Sequence, residues 1–422
     1  MRPGDPRLLG HLTALVYPLE DRELELLHSL ALARGLCLER DGLSVLGLGE
    51  AATVLLPNGL VDRAMLRQVR ESLALLGPLA TAIGAFHFLP EAATSLTVPA
   101  LCVRVGKGTP PVAVVVGRSP TRDQVEALVR EAQSERATSG EPASPPDSFR
   151  LFSRRSHADF LDRVAEAVTE VRSGRLDKVV MAREVVIEAN RPLRQRDLLE
   201  RLRALHPSCM TFAIDGFIGA SPELLVSRSG NAVASHPLAG TAARSGDPDA
   251  DRRAQERLLS SQKERGEHRS VVDAIAAGLR PVTSELQVPD EPSVVELRNV
   301  SHLGSHITAV LAREPSSSLI SALDLVALIH PTPAVAGMPV DLALDYLAKA
   351  EDLERDRYGG AVGWTDGTGD GEWYLGIRSA IVRGQTARLF AGVGIVADSD
   401  PAEELAETQL KLQAFLAVAV RP

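Results

Sequence analysis

An α+β layered fold with large, mainly antiparallel sheets is predicted for this chain from its length, the order of its elements and its turn chemistry. The 422 residues, 45% of them hydrophobic, can bury a large core and allow two or three domains or one two-lobed unit. Runs of short apolar strands alternate with runs of amphipathic helices, without a regular strand-helix-strand rhythm. Turn residues such as Ser229-Gly230-Asn231, set between two apolar segments, mark a hairpin and so antiparallel neighbours.

The elements follow in order. Residues 1–149 mix strands at 99–105 and 111–116 with helix patterns near 21–34 and 121–133, and gather no chemical site. They read as a divergent N-terminal part of the same unit, and residues 150–422 as the catalytic region. The Ser, Pro, Gly and charge-rich run 134–148 is expected to be an exposed connection. Phe160, Val164, Val168 and Val171 recur at helical spacing, and Gly174 can end that helix. The strand KVVMAREVVIE follows from Lys178, then a helix over 196–205 and strands at 210–218, 223–229 and 231–237. Helices are predicted over 249–261, 264–279, 301–313 and 318–329. A last strand group at 359–366, 371–383 and 386–396 precedes a closing helix from 401 to 419.

Composition narrows the function. A net charge of −9 with scattered arginines argues against a nucleic-acid surface, while a local cluster of cations still permits a small anionic substrate. Cys37, Cys102 and Cys209 are far apart and lack metal-ligand spacing, as expected of buried thiols in a reducing cytoplasm. No stretch reaches the roughly 18 apolar residues of a membrane span, and the N-terminal segment lacks an apolar signal core, so neither membrane insertion nor secretion is expected.

Two carboxylate pairs stand out. Glu404, Glu407 and Lys411 share one face of the closing helix, and Glu264 and Glu267 repeat the three-residue spacing on another. Four carboxylates from two distant helices match a hard divalent cation, with Mg²⁺ the leading candidate, although solvated helix faces give the same pattern. Gly392-Val393-Gly394-Ile395-Val396-Ala397 resembles a dinucleotide-binding turn, but only one helix remains before the chain ends, so no second strand can carry the required acid. These glycines are better used for close backbone approach to another ligand. Three charges interrupt apolar segments: Lys178, Glu223 and Arg378. Each is compatible with a solvated position. Alternatively, a buried lysine can act as a base, a buried glutamate as an acid, and an arginine as a carboxylate clamp.

The ordered segments DKVVMARE, GASPELLVSR, HPLAGTAAR, ERGEHR, HPTPAVAG, YGGAVGW, GEWYLGIRSA, FAGVGIV and AETQLKL decide between these readings. Over about 150–420 the chain resembles the chorismate-utilising enzymes, most closely their isochorismate synthase branch. The resemblance implies that family's fold, chorismate as substrate and Mg²⁺ as cofactor. Lys178 stands where water-adding branches carry lysine and ammonia-using branches commonly carry glutamine. Ala239 stands where aminodeoxychorismate synthases carry a nucleophilic lysine, and Ala334 where salicylate synthases tend to have threonine.

By the same resemblance, Lys178 activates water at C2 and Glu223 protonates the departing C4 hydroxyl. Their pKa values must then move toward neutrality from about 10.4 and about 4.3. Glu267 and Glu407 match the principal metal ligands, with Glu264 and Glu404 in support. Arg378 matches the enolpyruvyl carboxylate clamp. Gly240, Thr241, Gly392, Gly394 and Lys411 are expected to contact substrate, His302 to lie near the ring, and Ala334 to line its pocket. His306, one helical turn after His302, is expected to be structural, and His236, Trp364 and Trp373 to be packing. No glutaminase subunit is expected, and a monomer suffices. The alternatives are a salicylate synthase and a catalytically silent chorismate-binding protein.

Overall fold

The structure is a computed structural model and describes residues 6–138, 144–312 and 320–420. Two large antiparallel sheets and one small one carry the strands. The larger sheet runs, edge to edge, through Thr13–Pro18, Thr109–Gly117, Leu101–Gly106, Leu43–Leu48, Leu36–Arg40, Met210–Ile214, Phe217–Ser221, Ser379–Arg383, Thr386–Ile395, Lys178–Ala189 and Gly337–Met338. Phe149–Phe152 also pairs with Lys178–Ala189. The second sheet runs through Thr283–Gln287, Ile307–Leu311, Ala232–His236, Leu224–Ser229, Gly371–Leu375, Ala361–Asp366, Thr81–Ala85, Thr94–Val98 and Ala52–Leu56. The small sheet orders Leu238–Ala243, Val300–Gly304 and Ser293–Glu296.

Period-two alternation explains the layers. Leu38, Val45, Cys102, Val114 and Phe212 point into a core shared with Ile83, Leu96, Val226 and Trp373 of the second sheet. Their neighbours Cys37, Leu46, Val103, Val115 and Ala213 point the other way. There they meet Leu27 and Leu30 of Asp21–Arg34, Leu199 and Leu202 of Gln195–Leu205, and Phe415 of Pro401–Ala419. These central strands of the large sheet are therefore apolar on both faces. Trp373 and Trp364 are buried core residues, as expected, and all three cysteines are buried and free. Among the described residues no helix is long and apolar enough to cross a membrane.

Three predicted elements need correction. The helix expected over 301–313 is a pair of strands, Val300–Gly304 and Ile307–Leu311, so His302 and His306 are not one helical turn apart. Val294 pairs with Leu303 and Val295 with His302 across the sheet, a register that overrides the helical spacing of the apolar residues. The strand expected over 210–218 is a hairpin, Met210–Ile214 and Phe217–Ser221, turned by Asp215-Gly216 with both residues at positive φ. The strand expected over 371–383 breaks into two at Gly376-Ile377-Arg378. The start of the helix expected over 318–329 lies partly outside the described residues, and its described part is Ala322–Ile329, capped by Ser321. Within the run 134–148, helix Arg122–Thr138 continues to its end, 139–143 lie outside the described residues, and 144–148 carry no regular structure.

Gly360 tests the join between early and late segments. The backbone amide of Phe86 donates to Ala361 O at 2.7 Å, and a Cβ at Gly360 would run into the Phe86 carbonyl oxygen. Gly360→Ala is expected to lower the unfolding free energy by about 1–3 kcal/mol. Urea unfolding reads this as a lower midpoint, and an unchanged midpoint would mean that the two segments separate freely.

Candidate active site

The site forms where a two-stranded ribbon leaves one sheet for the other. Phe217–Ser221 pairs with Ser379–Arg383 in the large sheet, and their continuations Leu224–Ser229 and Gly371–Leu375 pair in the second. The two connections, Pro222-Glu223 and Gly376-Ile377-Arg378, lie side by side, with Leu375 N donating to Glu223 O at 3.1 Å. Arg378 takes φ of +51°, a left-handed conformation costing a non-glycine residue about 1–2 kcal/mol. Its guanidinium is thus delivered by a turn and not by strand alternation. A second ribbon makes the same move: Ala232–His236 pairs with Ile307–Leu311, and their continuations Leu238–Ala243 and Val300–Gly304 pair in the small sheet.

Glu223 is 4% exposed. Burial pushes its carboxyl up to about 8, opposed by the Leu238 backbone amide and by the charges of Lys178, Lys411 and Arg378. It is therefore an uncharged acid at neutral pH. Arg378 donates through Nη2 to His302 Nε2 at 3.1 Å, so that nitrogen is the acceptor. Nδ1 then carries the proton and donates to Gly240 O at 3.0 Å. Burial, followed by the charges of Arg378 and Lys411, lowers His302 to about 3 and keeps it neutral.

Helix Gln262–Leu279 starts at Ser261, whose hydroxyl accepts from Glu264 N, and helix Pro401–Ala419 starts at Asp400, which accepts from Ala402 N and Glu403 N. These caps fix where the glutamates emerge. Lys178 Nζ lies 2.8 Å from Glu267 Oε1, and Lys411 Nζ 2.6 Å from Glu407 Oε1. Lys411 also donates to Gly392 O at 2.9 Å. Glu264 accepts from Thr241 N at 3.0 Å, and Glu404 accepts from Ser399 Oγ at 2.6 Å. Burial and the neighbouring Glu267 raise Glu264, while burial and then Glu407 raise Glu404 to about 7. Among the described residues no three acidic, histidine or cysteine side chains yet close around one point. The mutual repulsion of these carboxylates and their hard oxygen donors nevertheless fit a divalent cation such as Mg²⁺.

One cavity of about 90 Å³ is lined by Glu223, Gly240, Thr241, Glu267, His302, Ala334, Arg378, Gly392, Gly394, Glu407 and Lys411. Lys178 reaches it through Glu267, whereas Glu264 and Glu404 stand behind the wall. Gly394 lacks a side chain for a reason internal to the chain: a Cβ there would lie 2.5 Å from Lys178 Cε and 3.1 Å from Glu267 Oε1. The glycine pattern had pointed to room for a ligand. Part of that room belongs to the lysine.

Sequence reasoning missed Tyr358 and Arg355, which also line the cavity. Tyr358 stacks on Phe390 at 5.3 Å with an interplanar angle of 19°. Arg355 is 3% exposed and binds Glu351, Val335 O and Val180 O beneath the floor. The charged run Glu351-Asp352-Leu353-Glu354-Arg355 looks solvated, and only the YGGAVGW block nearby gave a signal.

The fold and this pocket define a chorismate-binding enzyme. The family model described as "Chorismate binding enzyme" matches residues 70–420, and the chain belongs to that family. The match begins well before residue 150, so it includes part of the segment that carries no recognisable block. Among individual proteins, the chain is 40% identical over 269 residues to isochorismate synthase DhbC of Bacillus subtilis (strain 168), covering 61% of this chain and 67% of the relative. It is 42% identical over 261 residues to a salicylate biosynthesis isochorismate synthase of Pseudomonas aeruginosa, covering 60% of this chain and 53% of that one. A crystal structure of a putative 2,3-dihydroxybenzoate-specific isochorismate synthase from Bacillus anthracis superposes with a TM-score of 0.78 at 31% identity, over 94% of this chain and 99% of that one.

Glu223 also predicts a pH-dependent stability. Its folded value is raised from 4.5 to about 8, so between those limits the unfolded chain has lost a proton that the folded one keeps. Unfolding stability therefore falls as pH rises through this window and is flat outside it. Glu223→Gln removes that contribution. The melting temperature of the variant relative to wild type should rise from pH 5 to pH 8, and a constant difference would contradict the buried neutral acid.

Proposed function

We propose that this protein is a Mg²⁺-dependent isochorismate synthase that adds water at C2 of chorismate and releases the C4 hydroxyl. The observation that carries this reading is the uncharged, buried Glu223 in the same cavity as the Arg378 clamp, within electrostatic reach of Lys178. A mere binding protein has no need of an acid held protonated to about pH 8. Ala239 lines the wall where an amine nucleophile would stand, so the chain places no lysine there for covalent attack on the ring. The named relatives, isochorismate synthases themselves, support the same branch.

The residues divide the work. Lys178 takes a proton from water as the oxygen bonds to C2, and Glu223 gives one to the C4 oxygen as its bond to carbon breaks. Arg378 binds the enolpyruvyl carboxylate, a role that suits a guanidinium whose imidazole partner is neutral. Gly240, Thr241 and His302 shape the floor, and Ala334 leaves the ring pocket uncrowded. Glu267 and Glu407, backed by Glu264 and Glu404, would hold Mg²⁺, which when bound supplies Lewis-acid stabilisation of the ring carboxylate. In the structure Lys178 and Lys411 hold the two front glutamates. The base role of Lys178 requires its contact with Glu267 to open, and the 90 Å³ cavity must widen toward the roughly 300–1,000 Å³ typical of ligand sites. No second chain is needed for water to be the nucleophile, so the isolated chain, soluble and monomeric, is sufficient in this reading.

Incubation with chorismate and Mg²⁺, with the products separated, tests the assignment. Isochorismate is the expected product. Salicylate with pyruvate would place the protein in the lyase branch, anthranilate with ammonia in the amine branch, and binding without turnover would leave a silent binder. Lys178→Ala and Glu223→Gln should each lose at least about a hundredfold in rate. For wild type, kcat/KM should fall above about pH 8 as Glu223 loses its proton. A profile still flat at pH 9 would remove Glu223 as the acid.

A further inference from the structure

The strand that carries Lys178 lacks a neighbour along part of its outer edge. Gly337–Met338 pairs with its residues 178–179 and Phe149–Phe152 with its residues 186–189, and among the described residues no strand stands between these two partners. Backbone groups reach that edge at alternate residues, here 180, 182 and 184. Val180 and Ala182 are buried, so an amide or carbonyl left there without a partner would lose its hydration for nothing. Other groups fill the missing ladder. Val180 N donates to Ala336 O at 2.9 Å, and Val180 O accepts from Arg355 Nη2 at 2.5 Å. Ala182 N donates to Glu351 Oε1 at 2.7 Å, and Glu184 O accepts from Ser153 Oγ at 2.7 Å.

Glu351 and Arg355 act as one piece. Arg355 Nε donates to Glu351 Oε2 and Nη2 to Glu351 Oε1, both at 2.6 Å, and Nη1 donates to Val335 O at 2.8 Å. The two residues are 5% and 3% exposed, and every nitrogen of the guanidinium is committed within the protein. A buried ion pair is seldom the most stable filling of its space, since apolar side chains of similar volume often do as well or better. Apolar side chains cannot, however, accept from Ala182 N while donating to two carbonyls on different segments. Val335 O belongs to the segment that runs into Gly337–Met338, the other brace of Lys178, and Val180 O lies two residues along the strand from Lys178 itself.

We infer that Glu351 and Arg355 are positioning residues for Lys178: they take the place of the missing strand, clamp residues 335–338 to residues 178–182, and so set where the lysine amine enters the pocket. The inference rests on the proposed reaction only for the role of Lys178 as base. Geometry carries the effect, because a planar fork serves Glu351 and two carbonyls together, whereas a lysine ammonium on a flexible stem does not. A base displaced by about 1 Å loses up to about a hundredfold in rate, while the grip of Arg378 on a substrate carboxylate is untouched.

Steady-state kinetics with chorismate and Mg²⁺ on Arg355→Lys and on the double variant Glu351→Leu/Arg355→Met test this, together with amide exchange read by mass spectrometry. Both variants are expected to lose at least about tenfold in kcat, with KM for chorismate within about twofold of wild type. The double variant leaves no buried charge unpaired, so its melting temperature should stay close to that of wild type and its lost rate is not lost folding. Exchange over residues 179–184 should be at least about tenfold faster in the double variant, with the rest of the sheet unchanged. Full kcat in Arg355→Lys would mean that charge alone suffices, a raised KM at unchanged kcat would make Arg355 a substrate contact, and unchanged exchange over 179–184 would mean that the pair braces nothing; each overturns the proposal. Should the double variant fail to fold, the kinetics of Arg355→Lys decide. Absence of isochorismate from wild type would instead remove Lys178 as base, and the exchange experiment would still decide the clamp.

Discussion

Everything at the catalytic pocket depends on two ribbons of paired strands leaving one sheet for another at the same level. A strand inside a sheet buries its side chains between layers, where a charge is intolerable without a partner. At a crossing the backbone leaves the ladder, and residues 222–223, 377–378, 238–241 and 302 face a common gap between the sheets. The fold thereby holds an acid, a guanidinium and an imidazole inside a core otherwise made of Phe, Trp, Val and Leu. The left-handed Arg378 is the local cost of that turn.

Charge in the pocket is balanced in a way that leaves specific groups free to act. Lys178 and Lys411 each hold one glutamate, while Glu264 and Glu404 are stabilised by a backbone amide and a hydroxyl and stay in reserve. His302 is kept neutral between a guanidinium and a carbonyl, so it transmits orientation from Gly240 to Arg378 without adding charge. Glu223 forms no ion pair among the described residues, and its raised pKa follows from burial, which outweighs the opposing charges of Lys178, Lys411 and Arg378. Removing any one cation would expose a carboxylate whose repulsion the others do not absorb.

Much of this was legible in the sequence. The closing helix lies at its expected bounds, 401–419, where the carboxylates recur at helical spacing and Asp400 caps the start. Eleven of the candidate site residues line one cavity, since the blocks that carry them sit at strand ends and helix starts, where local chemistry is explicit. What failed was tertiary in origin. The segment VSHLGSHITAV spaces its apolar residues like a helix, and only pairing with Ser293–Glu296 and Ala232–His236 makes it two strands. The run YLGIRSAIV alternates like one strand, and nothing local announces that its halves belong to different sheets. Arg355 was hidden for the opposite reason: in a charged run, the one guanidinium that turns inward looks like those that do not.

Arg355 also explains how the segment without recognisable blocks bears on the site. Its guanidinium lies 4.1 Å from the Phe88 ring centroid, and His330 Nε2 lies 3.2 Å from Phe88 O. Phe88 N donates to Asp356 O at 2.9 Å, and strand Thr81–Ala85 pairs with Ala361–Asp366. The same arginine binds Val335 O next to Ala334 and Val180 O two residues from Lys178. An early aromatic residue is therefore one side chain removed from the backbone beside both Ala334 and Lys178. These contacts run through backbone carbonyls and one ring face, which constrain shape and not residue identity. A segment can thus keep its place beneath an active site while its sequence drifts beyond recognition, provided that strand spacing and a single aromatic ring are retained.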